Sequence, residues 1–127
     1  MTGVSMALLG SGEFEPWSER VDRWLLERSP YPGGPVLIAP TAAAHEGEES
    51  FAAGGAKGVG HFAALGVRAE VLPLRTRDDA HRDDVVARLD DAALVYFSGG
   101  NPARLAEVLA GSPFWDRLCR GLAEGLP

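Results

Sequence analysis

The sequence predicts a three-layer α/β domain, a mainly parallel sheet with helices on both faces. Two observations carry that prediction. Four short aliphatic runs, at residues 4–9, 36–39, 67–72 and 93–97, recur at roughly even intervals, and each is followed by turn residues and then a helical pattern. That alternation is the signature of βαβ units. The runs are also mostly apolar throughout rather than alternating, as suits strands covered on both sides and joined by right-handed crossovers. The 127 residues form one domain, 1–127, in which no linker, repeat or low-complexity tract marks a boundary.

In chain order, the first run leads through Gly10-Ser11-Gly12-Glu13 to Pro16, which opens a helix without losing a useful N–H. Trp17, Val21, Trp24 and Leu25 fall at i, i+4, i+7 and i+8 and so share one helix face. After the second run, Phe51, Val59 and Phe62 keep near-helical spacing through residues 46–65. Gly54, Gly55, Gly58 and Gly60 interrupt it, each costing about 1 kcal/mol relative to alanine. The segment reads as a helix frayed or broken in the middle.

The third run gives way to a charged stretch, residues 75–84 with His81, that reads as an exposed loop and first helical turn. Val85, Val86 and Leu89 then mark a short amphipathic helix, with Asp83 and Asp84 at its positive end. Beyond the fourth run, Asn101 is an N-cap and Pro102 an N1 residue for a helix to about Leu109, and Ser112-Pro113 repeats the device. In the last helix Trp115, Leu118, Cys119 and Leu122 share a face. Gly125-Leu126-Pro127 has the punctuation of a loop into another strand, so the domain reads as unfinished.

Composition narrows the function. With 46% hydrophobic and 24% charged residues the chain is globular rather than disordered, and a net charge of -6 sets its field against nucleic acid and anionic lipid. No apolar run approaches the roughly 20 residues that span a bilayer, and the lone Cys119 has no internal disulfide partner. A cytoplasmic protein without cofactor, nucleic-acid partner or membrane is expected.

In open parallel sheets ligands bind beyond the carboxyl ends of the strands. The loops to inspect are therefore Gly10-Ser11-Gly12-Glu13, Pro40-Thr41-Ala42, Pro73-Leu74 and Ser98-Gly99-Gly100-Asn101. Glycine in such loops either permits positive φ or admits a ligand to the backbone. The loop ending at Asn101 also enters a helix N-terminus, where free N–H groups and the dipole favour an anion. A dinucleotide fingerprint fails, because glutamate stands where the third glycine of Gly10-x-Gly12 belongs.

Other candidates have plainer explanations. His45, Glu46, Glu48, Glu49 and His61 are possible zinc ligands, but without a tight histidine or cysteine pair they read as a solvated acidic helix start, and no metal is expected. Cys119 shares the stripe of Trp115 and Leu122 and reads as a buried, inert thiol. The chain has no Gly-x-Ser-x-Gly elbow, and no nucleophile, base and orienter can be assembled from it.

The run Phe97-Ser98-Gly99-Gly100-Asn101-Pro102-Ala103-Arg104-Leu105 resembles the Phe-x-Gly-Gly-Asn/Asp-x-x-x-Leu segment of the cyanophycinase and aspartyl dipeptidase (dipeptidase E) serine peptidases, within the class I glutamine amidotransferase-like superfamily. Leu8-Leu9-Gly10-Ser11-Gly12-Glu13 and Ile38-Ala39-Pro40-Thr41-Ala42 are similar to its pattern in the same order. The resemblance implies a flavodoxin-like fold and hydrolysis of amide bonds beside aspartyl residues. It implies that Gly99 and Gly100 give oxyanion-hole N–H groups, that Asn101 holds their loop, and that Gly10, Ser11 and Gly12 line the same crevice. Relatives carry the nucleophile elbow, the histidine and its acidic partner further along, so no triad role transfers to this chain.

The expected function is the amino-terminal portion of such a peptidase, acting on a small acidic peptide or amide and inactive alone. The alternatives are a non-catalytic small-anion-binding module and a truncated gene product. An unfinished sheet edge would also favour self-association or pairing with another chain.

Overall fold

The computed structural model describes residues 4–9 and 13–127. Three parallel strands, β1 (Val36–Ala39), β2 (Ala69–Val71) and β3 (Leu94–Phe97), form a sheet in the order β2-β1-β3. Five helices accompany them: α1 (Glu19–Glu27), α2 (Glu48–Ala64), α3 (Asp83–Ala87), α4 (Pro102–Leu109) and α5 (Pro113–Ala123). Short 3₁₀ helices lie at Pro16–Ser18, Thr41–Glu46, Asp79–His81 and Arg88–Asp90. The fold class is the one the alternating pattern predicts.

The central strand is buried throughout, and its pleat divides the core. Leu37 and Ala39 face one side with Leu72, Leu74, Val85, Leu89, Phe114 and Leu118. Val36 and Ile38 face the other with Leu94 and Tyr96 of β3, Leu25 of α1 and Phe62 of α2. Helices therefore cover both faces, which is why the central strand is apolar throughout.

Residues 4–9 are not a strand. Their side chains alternate, with Val4, Met6 and Leu8 exposed and Ala7 and Leu9 packed on the Phe62 cluster, but their backbone joins no sheet among the described residues. A strand exists only by pairing, and here a cavity separates the segment from the β3 edge.

Helix α2 is continuous for 17 residues, against the expectation of a break. Two of its glycines, Gly55 and Gly58, serve close packing. A Cβ on Gly55 would stand 2.7 Å from Val71 Cγ2, and one on Gly58 2.9 Å from Ile38 Cγ2 and from Phe14 Cζ. The helix lies down on the sheet at a distance only glycine permits, and the burial of Phe51 and Phe62 offsets the propensity cost.

Two helix faces are also corrected. In α1 the buried positions are Asp22 and Leu25, following Ser18, while Trp17 and Trp24 are 54% and 43% exposed. Arg28 instead covers the Trp24 ring, its guanidinium carbon 3.7 Å from the ring centre. In α5 the buried residues are Phe114, Leu118 and Gly121, whereas Trp115 is partly exposed and Cys119 is an exposed free thiol, not a buried one. The buried stripe is rotated one position toward the N-terminus because Phe114, not Trp115, enters the core beside Leu118.

Candidate active site

The loop after β3 is held from three directions. Asn101 Oδ1 accepts from the N–H groups of Ala103 and Arg104 at 2.9 and 3.3 Å, which makes it the N-cap of α4 as its sequence position predicts. Its own N–H donates to the Ala42 carbonyl at 2.9 Å, tying the loop to the exit of β1. Gly100 has φ 154° and lies against the Ala42 and Ala43 backbone, where a Cβ would overlap backbone atoms. Glycine is required there for both conformation and space.

Gly99, so placed, donates its N–H to Glu13 Oε1 at 3.1 Å. Glu13 reaches it because the next residue, Phe14, has φ 65° and is drawn into the core. The Phe14 ring stacks on Tyr96 with 4.6 Å between centroids and lies 5.7 Å from the His61 ring. A non-glycine residue in that region costs roughly 1–2 kcal/mol, which the burial of a phenylalanine ring offsets.

On the other exits, Thr41 Oγ1 donates to the Leu74 carbonyl at 2.7 Å, binding the ends of β1 and β2 together. Gly99, Gly100 and Asn101 thus stand at the carboxyl end of the sheet as expected. Gly10, Ser11 and Gly12 lie outside the described residues.

Beside this loop a cavity of about 580 Å³ follows the outer edge of β3. Val95 and Phe97 form one wall, Met6–Leu9 another, and Leu25 of α1 and Leu118 of α5 contribute from the two helix layers. Val95 donates its N–H to the Pro127 carbonyl at 3.1 Å, so the last residue already sits on that edge. Among the described residues no strand pairs with it.

Asp22, Tyr96 and Glu13 bring polar groups to the same cavity. Asp22 is fully buried; its Oδ2 accepts from Ser18 Oγ at 3.2 Å and lies 2.7 Å from His61 Nε2. Asp22 Oδ1 and the Tyr96 hydroxyl have no hydrogen-bond partner among the described residues. Burial, followed by the charges of Asp22 and Glu13, pushes the Tyr96 phenol well above its ordinary pKa. It stays a neutral donor at any physiological pH.

Serine, aspartate and histidine here are the residue types of a hydrolase triad in a different wiring. The carboxylate lies between hydroxyl and imidazole, and the single Ser18 hydroxyl proton is shared between the Glu15 carbonyl at 2.9 Å and Asp22 Oδ2 at 3.2 Å, so the imidazole does not face it. The pair is structural. Sequence reasoning passed over Asp22 and Tyr96; the available signal was an acid at i+4 from Ser18 and i−3 from Leu25, on the inward stripe of α1.

Two of the residues weighed as zinc ligands are engaged elsewhere. Glu48 takes a two-pronged hydrogen bond from Arg75, both arms 2.7 Å, and His61 is the partner of Asp22. Arg75 beside it holds the Glu48 carboxyl below its ordinary pKa.

Comparison with known proteins agrees with this architecture. A solved peptidase from an acI-B1 Actinobacterium superposes with a TM-score of 0.85 at 33% identity, over 93% of this chain and 49% of its own. The chain spans about half the length of that peptidase. No curated protein matches it. The sequence model of peptidase family S51 matches residues 6–127, and the chain belongs to that family.

Proposed function

We propose that the chain is the amino-terminal portion of a serine-type peptidase of the glutamine amidotransferase-like class, cleaving amide bonds next to aspartyl residues. The observation that carries this reading is the Ser98–Asn101 loop, pinned on Ala42 at the carboxyl end of the sheet with its Gly99 N–H directed outward. In this reading Gly99 and Gly100 donate to the oxygen that becomes negative as the scissile carbonyl is attacked. Fixed donors of this kind lower such barriers by about 3–4 kcal/mol.

The nucleophile and its base come from polypeptide outside these 127 residues, seated along the open β3 edge. The size of the relative supports this, since the present chain accounts for about half of it. Among the described residues the cavity lining contains no Lys, Arg or His, so in this reading the group that selects an aspartyl side chain belongs to that further polypeptide as well. The same lack, together with Glu13 and Asp22 on the wall, weighs against a free-standing small-anion module.

The test is hydrolysis of an aspartyl p-nitroanilide. The purified chain is expected to be inactive, and its fusion to the remaining half of the acI-B1 peptidase active, inhibited by a serine-directed reagent and silenced by Gly100→Trp. Turnover by the chain alone, or an active fusion indifferent to Gly100→Trp, would overturn the reading.

A further inference from the structure

The donor that this reading assigns to the substrate is already occupied. Glu13 Oε1 accepts from Gly99 N–H at 3.1 Å, and a Cβ placed on Gly99 would stand 2.7 Å from the same oxygen. A carboxylate oxygen on a backbone donor has the charge and the hydrogen-bond geometry of the oxyanion it would later meet. The contact joins residues 86 positions apart, so it is made by the fold and not by local chain geometry.

We propose that Glu13 is a positioning residue for the Gly99 loop and an internal stand-in for the substrate oxyanion, holding the donor outward until a ligand displaces it.

Three features support this role. Glu13 is carried on a turn whose next residue, Phe14, is locked between Tyr96 and His61, so its backbone is anchored. Lys57 pairs with Glu15 at 3.6 Å, and among the described residues no cation pairs with Glu13. The carboxylate is therefore not held in place by a salt bridge and is free to leave. Finally, Gly100 and Asn101 are fixed on Ala42, so when Glu13 leaves, the loop keeps its place and only the donor changes partner.

Glu13 would then act in two ways. Its hydrogen bond orders the Gly99 amide in the free protein, and its charge opposes any anion that approaches the same N–H. An anion must displace it, which favours a transient negative oxygen delivered by a bound substrate over small anions from solution. The inference rests on the assignment of Gly99 as an oxyanion donor.

The experiment is amide NMR of the 127-residue chain and its Glu13→Gln and Glu13→Ala variants, titrated with acetate as the probe. Without acetate, the Gly99 amide proton is expected to move upfield progressively from wild type to Gln to Ala, as a charged acceptor is replaced by a neutral one and then by none. With acetate, Gly99 is expected to respond in the Ala variant at a concentration about five- to tenfold lower than in wild type, from removing one like charge near an exposed site.

An unchanged Gly99 resonance in both variants would overturn the proposal, because Glu13 would not hold that donor. Equal acetate response in all three proteins would also overturn it while leaving Gly99 as an anion donor. A Gly99 amide indifferent to acetate in every protein would remove the oxyanion assignment, and with it this inference.

Discussion

The two faces of the sheet solve the same burial problem with different materials. On the side of α3, α4 and α5, the interior is Leu37, Leu72, Leu74, Val85, Leu89, Phe114 and Leu118, and its charges stay at the rim. On the side of α1 and α2, Phe14, Ile38, Phe62 and Leu94 surround a buried Asp22–His61 pair and the hydroxyl of Tyr96. The first face is a core by area alone. The second places polar groups beside the cavity and the Gly99 loop, and its stability depends on Asp22 and His61 staying paired.

Substitutions can test that contrast. The largest loss is expected for Phe114→Ala, whose ring is fully buried on the apolar face: about 3–5 kcal/mol in urea denaturation, from lost transfer and an unfilled cavity. A loss under about 1 kcal/mol would mean that α5 is not integral to that core.

Asp22→Ala should cost about 3 kcal/mol on the polar face, because it strands His61 without its acceptor. The double variant Asp22→Leu with His61→Leu should recover most of that. Equal losses in the single and double variants would show that packing, not pairing, dominates both faces.

The smallest effect concerns the rim. Asp79 is raised by its partial burial, but its bonds from the N–H groups of Arg75 and Thr76, with Arg82 and Thr76 side chains, outweigh this and leave its pKa below the ordinary value. A depressed folded pKa stabilises the protein above the unfolded carboxyl value of roughly 3.9, and the benefit is lost as the pH falls through the lower folded value. Asp79→Asn should cost about 1–2 kcal/mol near neutrality and flatten the acid limb of a stability–pH profile. An unaltered acid limb would assign that slope to other carboxylates.

Much of the fold was legible from local pattern. The run at 36–39 is β1 with the same bounds, those at 67–72 and 93–97 become β2 and β3, shortened at their ends, and Asn101-Pro102 and Ser112-Pro113 begin α4 and α5 as their chemistry requires. Capping is a contact between near neighbours, so the sequence contains both partners. The errors came where the partner is distant. Residues 4–9 have strand composition but no pairing neighbour among the described residues, and Gly55 and Gly58 of α2 make no break because Val71, Ile38 and Phe14 pack against them. Trp17, Trp24, Trp115 and Cys119 lie off the buried stripes that their spacing predicts, because helical periodicity gives a face only to within one position.

The candidate site divides in the same way. The glycine pair and its cap at Gly99, Gly100 and Asn101 were readable because turn and capping chemistry is local, and that segment also carried the family resemblance. Glu13 on Gly99, Asp22 on His61 and Gly100 on Ala42 were decided only by the tertiary structure. Each joins residues far apart in the chain. Such contacts depend on how helices and strands stack, and local composition and spacing constrain that stacking only through which faces must be buried.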